Sequence, residues 1–342
     1  MCNMAAYIGN RRAAPLLLDM IERQEGFAGG YYTGIATIDS GKLHWAKVVG
    51  DAATLCRETE ARDLPGNVGI VHSRSKSGGD REWAHPFVDC KEQLAYVANG
   101  ALGYFEGKRD ADGVGKRLVE EGHRFRSSIS PRIGSYPVLP DGSCVHSSDL
   151  MCHLIESRIK DCGDPVQAMR EAFKLLPAEI AGLAVHLDTP DCVLASRINQ
   201  PLMIARTGDS TCVATTAFAF HQDECEWISP IPCNATAAVY KDRVEIFPLD
   251  PPPARVADIL PWSSGREKML ACLADGKGVG VPALKNATTR LWPEDRVPQD
   301  YMMVYEILRS MHIEGEIELK TTTVDGVEKG TKVPHFEACL VA

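Results

Sequence analysis

The chain reads as an α+β protein built on antiparallel sheets, and three features predict this. Strand-like runs come first, helices follow, and short strands succeed one another from Ala181 onward. That order fits layered helices and sheets better than a doubly wound parallel sheet. Two of the late runs, Thr236 to Tyr240 and Val244 to Phe247, are joined by Lys241-Asp242 as a hairpin turn. Finally, Asp250-Pro251-Pro252-Pro253 interrupts the pattern, because a proline triplet cannot sit inside a helix or a central strand. This divides the chain into residues 1–249, a proline-rich linker at 250–254, and a C-terminal module over 255–342.

Each element has its own reason. Ala13 to Gln24 carries Leu16, Leu17, Met20 and Ile21 on one side and Asp19, Glu22 and Arg23 on the other, the pattern of an amphipathic helix. Tyr31 to Ile38, punctuated by Gly29, Gly30 and Gly34, is a strand, with Leu43 to Val49 as its hairpin partner. Asp51 to Glu60 is helical, and Val68 to His72 and Leu94 to Ala98 are short strands. Helices follow over Lys116–Glu121, Asp149–Ile159 and Pro165–Leu175. Strands then run over Ala184–Leu187, Cys192–Ser196, Leu202–Ala205 and Cys212–Thr215. Beyond the prolines, helices are expected at Gly265–Ala274, Pro282–Asn286 and Asp300–Met311, then two strands around Val324-Asp325-Gly326. Helices followed by a hairpin are winged-helix-like. Residues 250–342 nevertheless hold 11 Lys and Arg against 14 Asp and Glu, whereas DNA-binding modules are normally basic.

Composition narrows the function classes. The 342 residues are 44% hydrophobic and 24% charged, ordinary for a globular protein with a sizeable core. A net charge of −9 argues against nucleic acid as the main partner. No apolar run approaches the ~20 residues of a membrane helix, and no signal-peptide pattern opens the chain. The 12 cysteines are scattered without a C-x-x-C pair, so a cytoplasmic location is expected, with most of them buried apolar residues. Neither a metal nor a cofactor is expected.

Cys2 is the position that matters most. Once Met1 is removed, one residue carries a thiol nucleophile and a free α-amine able to act as its base. A thiol titrates near ~8.5 and an α-amine near ~7.7–8, so both lie close to working range. Four further segments give Cys2 company: Thr33-Gly34-Ile35-Ala36, Val71-His72-Ser73-Arg74, Ala84-His85-Pro86 and Val97-Ala98-Asn99-Gly100. In this order they resemble the class II glutamine amidotransferases, most closely the glutaminase domain of glucosamine-6-phosphate synthase. The likeness extends weakly through residue 248.

That resemblance implies the N-terminal-nucleophile hydrolase fold, a four-layer αββα sandwich. It implies Cys2 as nucleophile, and Asn99 (side chain) with Gly100 (backbone N–H) as oxyanion donors. It implies Arg74, helped by Ser77, as the grip on a glutamine α-carboxylate. The chemistry is coherent: amide cleavage by a thiolate builds a tetrahedral oxyanion that needs aimed donors, and a guanidinium fork suits a carboxylate. Plainer readings exist. Asn-Gly is also a tight turn, Arg74 a surface arginine, Gly78-Gly79 a flexible loop, and His72 and His85 are taken as structural.

Three departures stand beside the resemblance. Asn3 follows Cys2 where the family has glycine. Ala28-Gly29-Gly30-Tyr31 replaces a run containing an arginine close to the nucleophile. In register with His153, Ser147 takes the place of the aspartate that binds the substrate ammonium. An inserted stretch, Ile129 to Val145, precedes this helix and could let Asp149 reach in, although Asp149 is equally a helix N-cap. The expected partners are therefore a small amide substrate, glutamine first, and an ammonia-acceptor enzyme on a separate chain, with self-association as a homo-oligomer left open. The alternatives are another linear amide or γ-glutamyl compound, or a non-catalytic regulatory subunit.

Overall fold

A computed structural model describes residues 2–101, 110–177 and 179–341. The first part runs β1 (Asn3–Gly9), α1 (Ala13–Ala28), β2 (Tyr32–Asp39), β3 (Lys42–Val49), α2 (Ala52–Glu58), β4 (Val68–Arg74), β5 (Phe87–Val88) and β6 (Leu94–Ala101). Three helices follow: α3 (Ala111–Glu120), α4 (Ser147–Cys162) and α5 (Pro165–Leu175). The strand series is β7 (Glu179–His186), β8 (Val193–Arg197), β9 (Met203–Thr207), β10 (Ser210–Ala214), β11 (Trp227–Pro230), β12 (Ala235–Val239) and β13 (Val244–Pro248). The chain closes with α6 (Trp262–Leu273), α7 (Val281–Thr288), α8 (Asp300–Ile313), β14 (Ile317–Asp325) and β15 (Lys332–Leu340).

Two antiparallel sheets stack face to face. One has the order β11-β9-β10-β1-β4-β2-β3, the other β13-β12-β8-β7-β6-β5. Strand alternation assigns each side chain to a layer. Met4, Ala6 and Ile8 of β1, Val68 and Ile70 of β4, and Ala95 and Val97 of β6 share the core between the sheets. Ala5 and Tyr7 point the other way, joining Leu17 and Ile21 of α1 and Leu55 of α2. Beyond the second sheet, Leu94 and Tyr96 pack under Leu150, Met151 and Leu154 of α4 and Met169 and Phe173 of α5. Helix, sheet, sheet and helix layers are the αββα sandwich.

A fourth core holds the C-terminal helices and hairpin: Met269, Leu273, Val281, Leu284, Met303, Leu308, Ile317 and Ala338. Phe27 of α1 belongs to this core too, with its ring 5.0 Å from Phe336, 5.1 Å from Phe218 and 5.6 Å from Tyr305. The C-terminal elements are thus docked on the end of α1, next to the start of β1.

Two of the plainer readings do not hold. Asn99-Gly100 is no turn: both residues lie in β6, opposite Ala181 and Ile180 of β7. Gly100 has φ +118°, a conformation side chains rarely adopt, which accounts for glycine within a strand. Asp149 is also not a helix cap. The N-cap of α4 is His146, whose ring accepts from Ser148 N, and Asp149 stands inside the first turn.

Candidate functional site

The site lies at one end of the inter-sheet layer, and strand register puts it there. β4 runs between β1 and β2, with Ser73 opposite Asn3 on one side and Thr33 on the other. One step further along the ladder, Cys2 reaches the start of the loop after Arg74, where Ser75 N donates to its Sγ at 3.3 Å. The Ser75 Oγ is 3.5 Å from the same sulfur. Cys2 continues the inward face of Met4 and Ala6, His72 and Arg74 continue that of Ile70, and Asn99 continues that of Val97. All four therefore converge from three strands in two sheets.

His72 links the thiol to Asn99. It is fully buried, and its Nε2 lies 3.0 Å from Ala98 O and 3.2 Å from Asn99 Oδ1. Both neighbours only accept, so Nε2 carries a proton. Burial pushes the Cys2 thiol up, but hydrogen bonding and charge from His72, with help from Ser75, outweigh it and hold the thiol at about 6. The amide of Asn99 is oriented by the same contact. With Oδ1 accepting from His72, Nδ2 donates one hydrogen to Thr215 Oγ1 at 2.9 Å, leaving a second for another acceptor. Thr215 in turn accepts from Met4 N at 2.9 Å, tying this group back to β1.

Arg74 is 1% exposed, stacked 4.3 Å over the Tyr32 ring. Its Nε donates to Ser77 Oγ at 2.9 Å, and its other nitrogens to Trp83 O at 2.6 Å and Gly78 O at 2.5 Å. No carboxylate among the described residues forms an ion pair with it. The guanidinium charge is buried against neutral groups alone, an arrangement that favours an added anion. Gly34 keeps this corner closed, since a Cβ there would stand 2.2 Å from His85 O. His85 stacks on His72 with ring centres 3.8 Å apart.

Asp149 does not join this group. It is fully buried, and Oδ2 accepts from Ser127 N at 3.0 Å and Ser127 Oγ at 2.8 Å. Oδ1 faces His153 Nε2 at 3.4 Å. The insertion does not release Asp149 toward a substrate; Ser127 and His153 consume its carboxylate. The two other departures have local explanations. Asn3 is buried against the Tyr305 hydroxyl of α8, so the larger residue fills space beside the C-terminal helix. Close to the Ala28-Gly29-Gly30-Tyr31 run that replaces the arginine-containing one, Glu25 is buried and accepts from Ser73 Oγ at 3.0 Å and Ala52 N at 3.1 Å. Met1 lies outside the described residues.

The chain is 28% identical over 206 residues to a glutamine–fructose-6-phosphate aminotransferase (isomerizing) of Pyrococcus horikoshii, covering 60% of this chain and 30% of the relative. An enzyme of the same name from Chlamydia muridarum is 28% identical over 228 residues, covering 66% and 34%. The chain thus spans about a third of the length of the curated relatives it matches. Among solved structures, the glutamine phosphoribosylpyrophosphate amidotransferase of B. subtilis superposes with a TM-score of 0.59 at 17% identity, covering 81% of this chain and 58% of that one.

The fold is that of the class II glutamine amidotransferases.

No protein-family model matches the chain. Within the amidotransferase fold, His72 is the residue that sequence reasoning undervalued, having been taken as structural. Its signal was positional: it shares the inward face of β4 with Arg74. A second group went unseen altogether. Cys90, His123, His153 and Glu156 present ligand atoms within 4.8 Å of one another, on the far side of Asp149.

Proposed function

We propose that this chain hydrolyses the side-chain amide of glutamine with Cys2, after removal of Met1. The thiolate attacks the amide carbon, and the oxyanion is met by the free Nδ2 hydrogen of Asn99 and by the Gly100 N–H. The freed α-amine of Cys2 shuttles the proton that lets ammonia leave, and water then cleaves the thioester to give glutamate. Arg74, steadied by Ser77, receives the substrate α-carboxylate by exchanging its bonds to the loop carbonyls for a bidentate pair. This requires the segment after Arg74 to move, which Gly78 and Gly79, both at φ +86°, permit.

The observation that carries the reading is the buried Arg74 guanidinium without a carboxylate partner, on the same strand face as the His72 that lowers the Cys2 thiol. The relatives are named as aminotransferases that use glutamine, which supports the same substrate. Ammonia then passes to an acceptor enzyme on another chain. No helix of the described residues is long and apolar enough to cross a membrane. The twelve cysteines are all free, which supports a reducing compartment such as the cytoplasm. The test is glutamate and ammonia release by protein of verified N-terminus, with Cys2→Ala as control. Turnover that survives Cys2→Ala sinks the proposal.

One observation favours a second reading. With Asp149 occupied by Ser127 and His153, no carboxylate stands ready for a substrate ammonium. A linear amide or γ-glutamyl compound lacking a free amine is the alternative. A panel of such amides, assayed beside glutamine, separates the two by relative kcat/KM.

A further inference from the structure

The structure assigns a Zn²⁺ site to Cys90, His123, His153 and Glu156. His123 Nδ1 lies 3.3 Å from His153 Nδ1, and each of these nitrogens lies 3.0 Å from Glu156 Oε2. Cys90 Sγ lies 3.8 Å from His153 Nδ1. A tetrahedral zinc with Zn–N of ~2.0–2.1 Å and Zn–S of ~2.3 Å sets N···N edges of about 3.3–3.4 Å and N···S edges of about 3.6 Å. The His123–His153 and Cys90–His153 edges already stand close to those separations, the two edges to Glu156 are shorter at 3.0 Å, and all four ligand atoms lie within 4.8 Å of one another.

Hydrogen bonds to Glu156 Oε2 can hold both rings, but they turn the two Nδ1 atoms toward one another at 3.3 Å, where two N–H hydrogens crowd. An imidazole nitrogen has one in-plane direction, holding either a proton or a lone pair. Here two such nitrogens, a carboxylate oxygen and the Cys90 sulfur point at one shared volume. A cation at the centre satisfies all four.

The surroundings match those of a bound metal. His153, with no side-chain exposure, turns its other nitrogen to Asp149 Oδ1 at 3.4 Å, and Ser127 fixes that carboxylate from the opposite side. A carboxylate behind a histidine in this way fixes its tautomer and raises its basicity toward a metal. His123 directs Nε2 toward Glu121 at 3.8 Å. The backbone N–H of Arg124 donates to Cys90 Sγ at 3.4 Å, a bond suited to a thiolate. A surface cavity of about 360 Å³, bordered by Cys90, His123, Glu156 and Lys160, gives an ion a way in.

The donor set chooses the ion. Thiolate with two imidazoles excludes Mg²⁺ and Ca²⁺, which take oxygen, and four protein ligands in a tetrahedron suit zinc. Four ligands leave no open position, so the site is structural. It pins the turn between β5 and β6, the segment after α3, and one face of α4. Binding expels the Cys90 thiol proton to solvent.

The full chain, freed of any affinity tag, is analysed for metal by inductively coupled plasma mass spectrometry. Chelator-treated protein is titrated with Co²⁺ and Zn²⁺. One zinc per chain is expected, and a tetrahedral cobalt spectrum with a thiolate charge-transfer band. Cys90→Ser should abolish that band, while Cys162→Ser, at another exposed cysteine, should leave it intact. His123→Gln should weaken Zn²⁺ binding by more than the ~10–100-fold expected for Asp149→Asn, which removes only an outer hydrogen bond. Sub-stoichiometric zinc with no cobalt binding by the wild-type chain overturns the assignment. So does a cobalt spectrum that Cys90→Ser leaves unchanged.

Discussion

The Nε2 atom of His72 lies 3.2 Å from Oδ1 of Asn99, and that contact joins the two sheets at the point where Cys2 enters the fold. It fixes the His72 tautomer and the Asn99 amide together. Nδ1 of His72 is left without a partner of its own among the described residues, and an Asn99 N–H is left for an incoming oxygen. The predictions begin from this pair.

The Cys2 thiol, held at about 6 despite burial, should be alkylated at a rate that climbs through that pH and levels off near neutrality. Lowering the pH through about 6 protonates it and removes the reactivity. His72→Asn removes the first of the influences that oppose burial, so the midpoint should move upward past neutral pH. The measurement is iodoacetamide labelling of residue 2 against pH, followed by peptide mass spectrometry. An unmoved midpoint in the variant would show that His72 does not govern the thiol.

Asn99→Ala should lower kcat for glutamine by about 10²–10³, the usual consequence of losing one oxyanion donor. KM should change far less. Because Asn99 also bonds Thr215, circular dichroism must first show the variant folded.

Arg74→Lys keeps the charge and loses the planar fork, so KM for glutamine should rise about 10–100-fold while kcat holds within several-fold. A kcat loss with constant KM would remove Arg74 from carboxylate recognition and leave it as the residue that holds the loop through Ser77, Gly78 and Trp83.

Burial and the nearby Asp51 charge raise the Glu25 carboxyl from an ordinary 4.5 to about 8. The folded protein therefore binds a proton that the unfolded chain releases over this window, and stability falls as pH rises. The contribution is fully present below 4.5 and lost as pH passes through about 8. Glu25→Gln should flatten the melting temperature against pH between about pH 5 and pH 8. An equal slope in both proteins would contradict the burial of an ionisable Glu25.

Phe27→Ala should destabilise the fold by about 3–5 kcal/mol, the range for truncating a buried phenylalanine. Phe27 sits among Phe218, Tyr305 and Phe336, so loss of the C-terminal elements should accompany it. Limited proteolysis of the variant reads this out as early cleavage between residues 250 and 342.

Much of this was legible in sequence because strand alternation is local. α5 falls on Pro165–Leu175 as its apolar spacing and proline start predict. The hairpin of Tyr32–Asp39 with Lys42–Val49 was likewise readable. β1 was not, because every residue from Asn3 to Gly9 is buried. A strand covered on both faces loses the polar alternation that marks strands. For Asn99-Gly100 the dipeptide alone also allowed a turn, because that preference is local, whereas its place in β6 is set by pairing with β7. The Asp149 reading failed for a similar reason: only the fold brings Ser127 and His153 to that carboxylate. Cys90 and His123 come from separate loops, so no ligand spacing exists to be read. The single local trace is His153 and Glu156, three apart on one helix.

The central claim is that residue 2, once Met1 is removed, is the N-terminal nucleophile for a glutamine-like amide. Intact-mass spectrometry of the purified chain, before and after treatment with 6-diazo-5-oxo-norleucine, tests it most directly. The account predicts a mass lacking Met1 and a single adduct that peptide mapping places on Cys2, absent from Cys2→Ala. Met1 retained on the chain, or no adduct on a correctly trimmed Cys2, would contradict it.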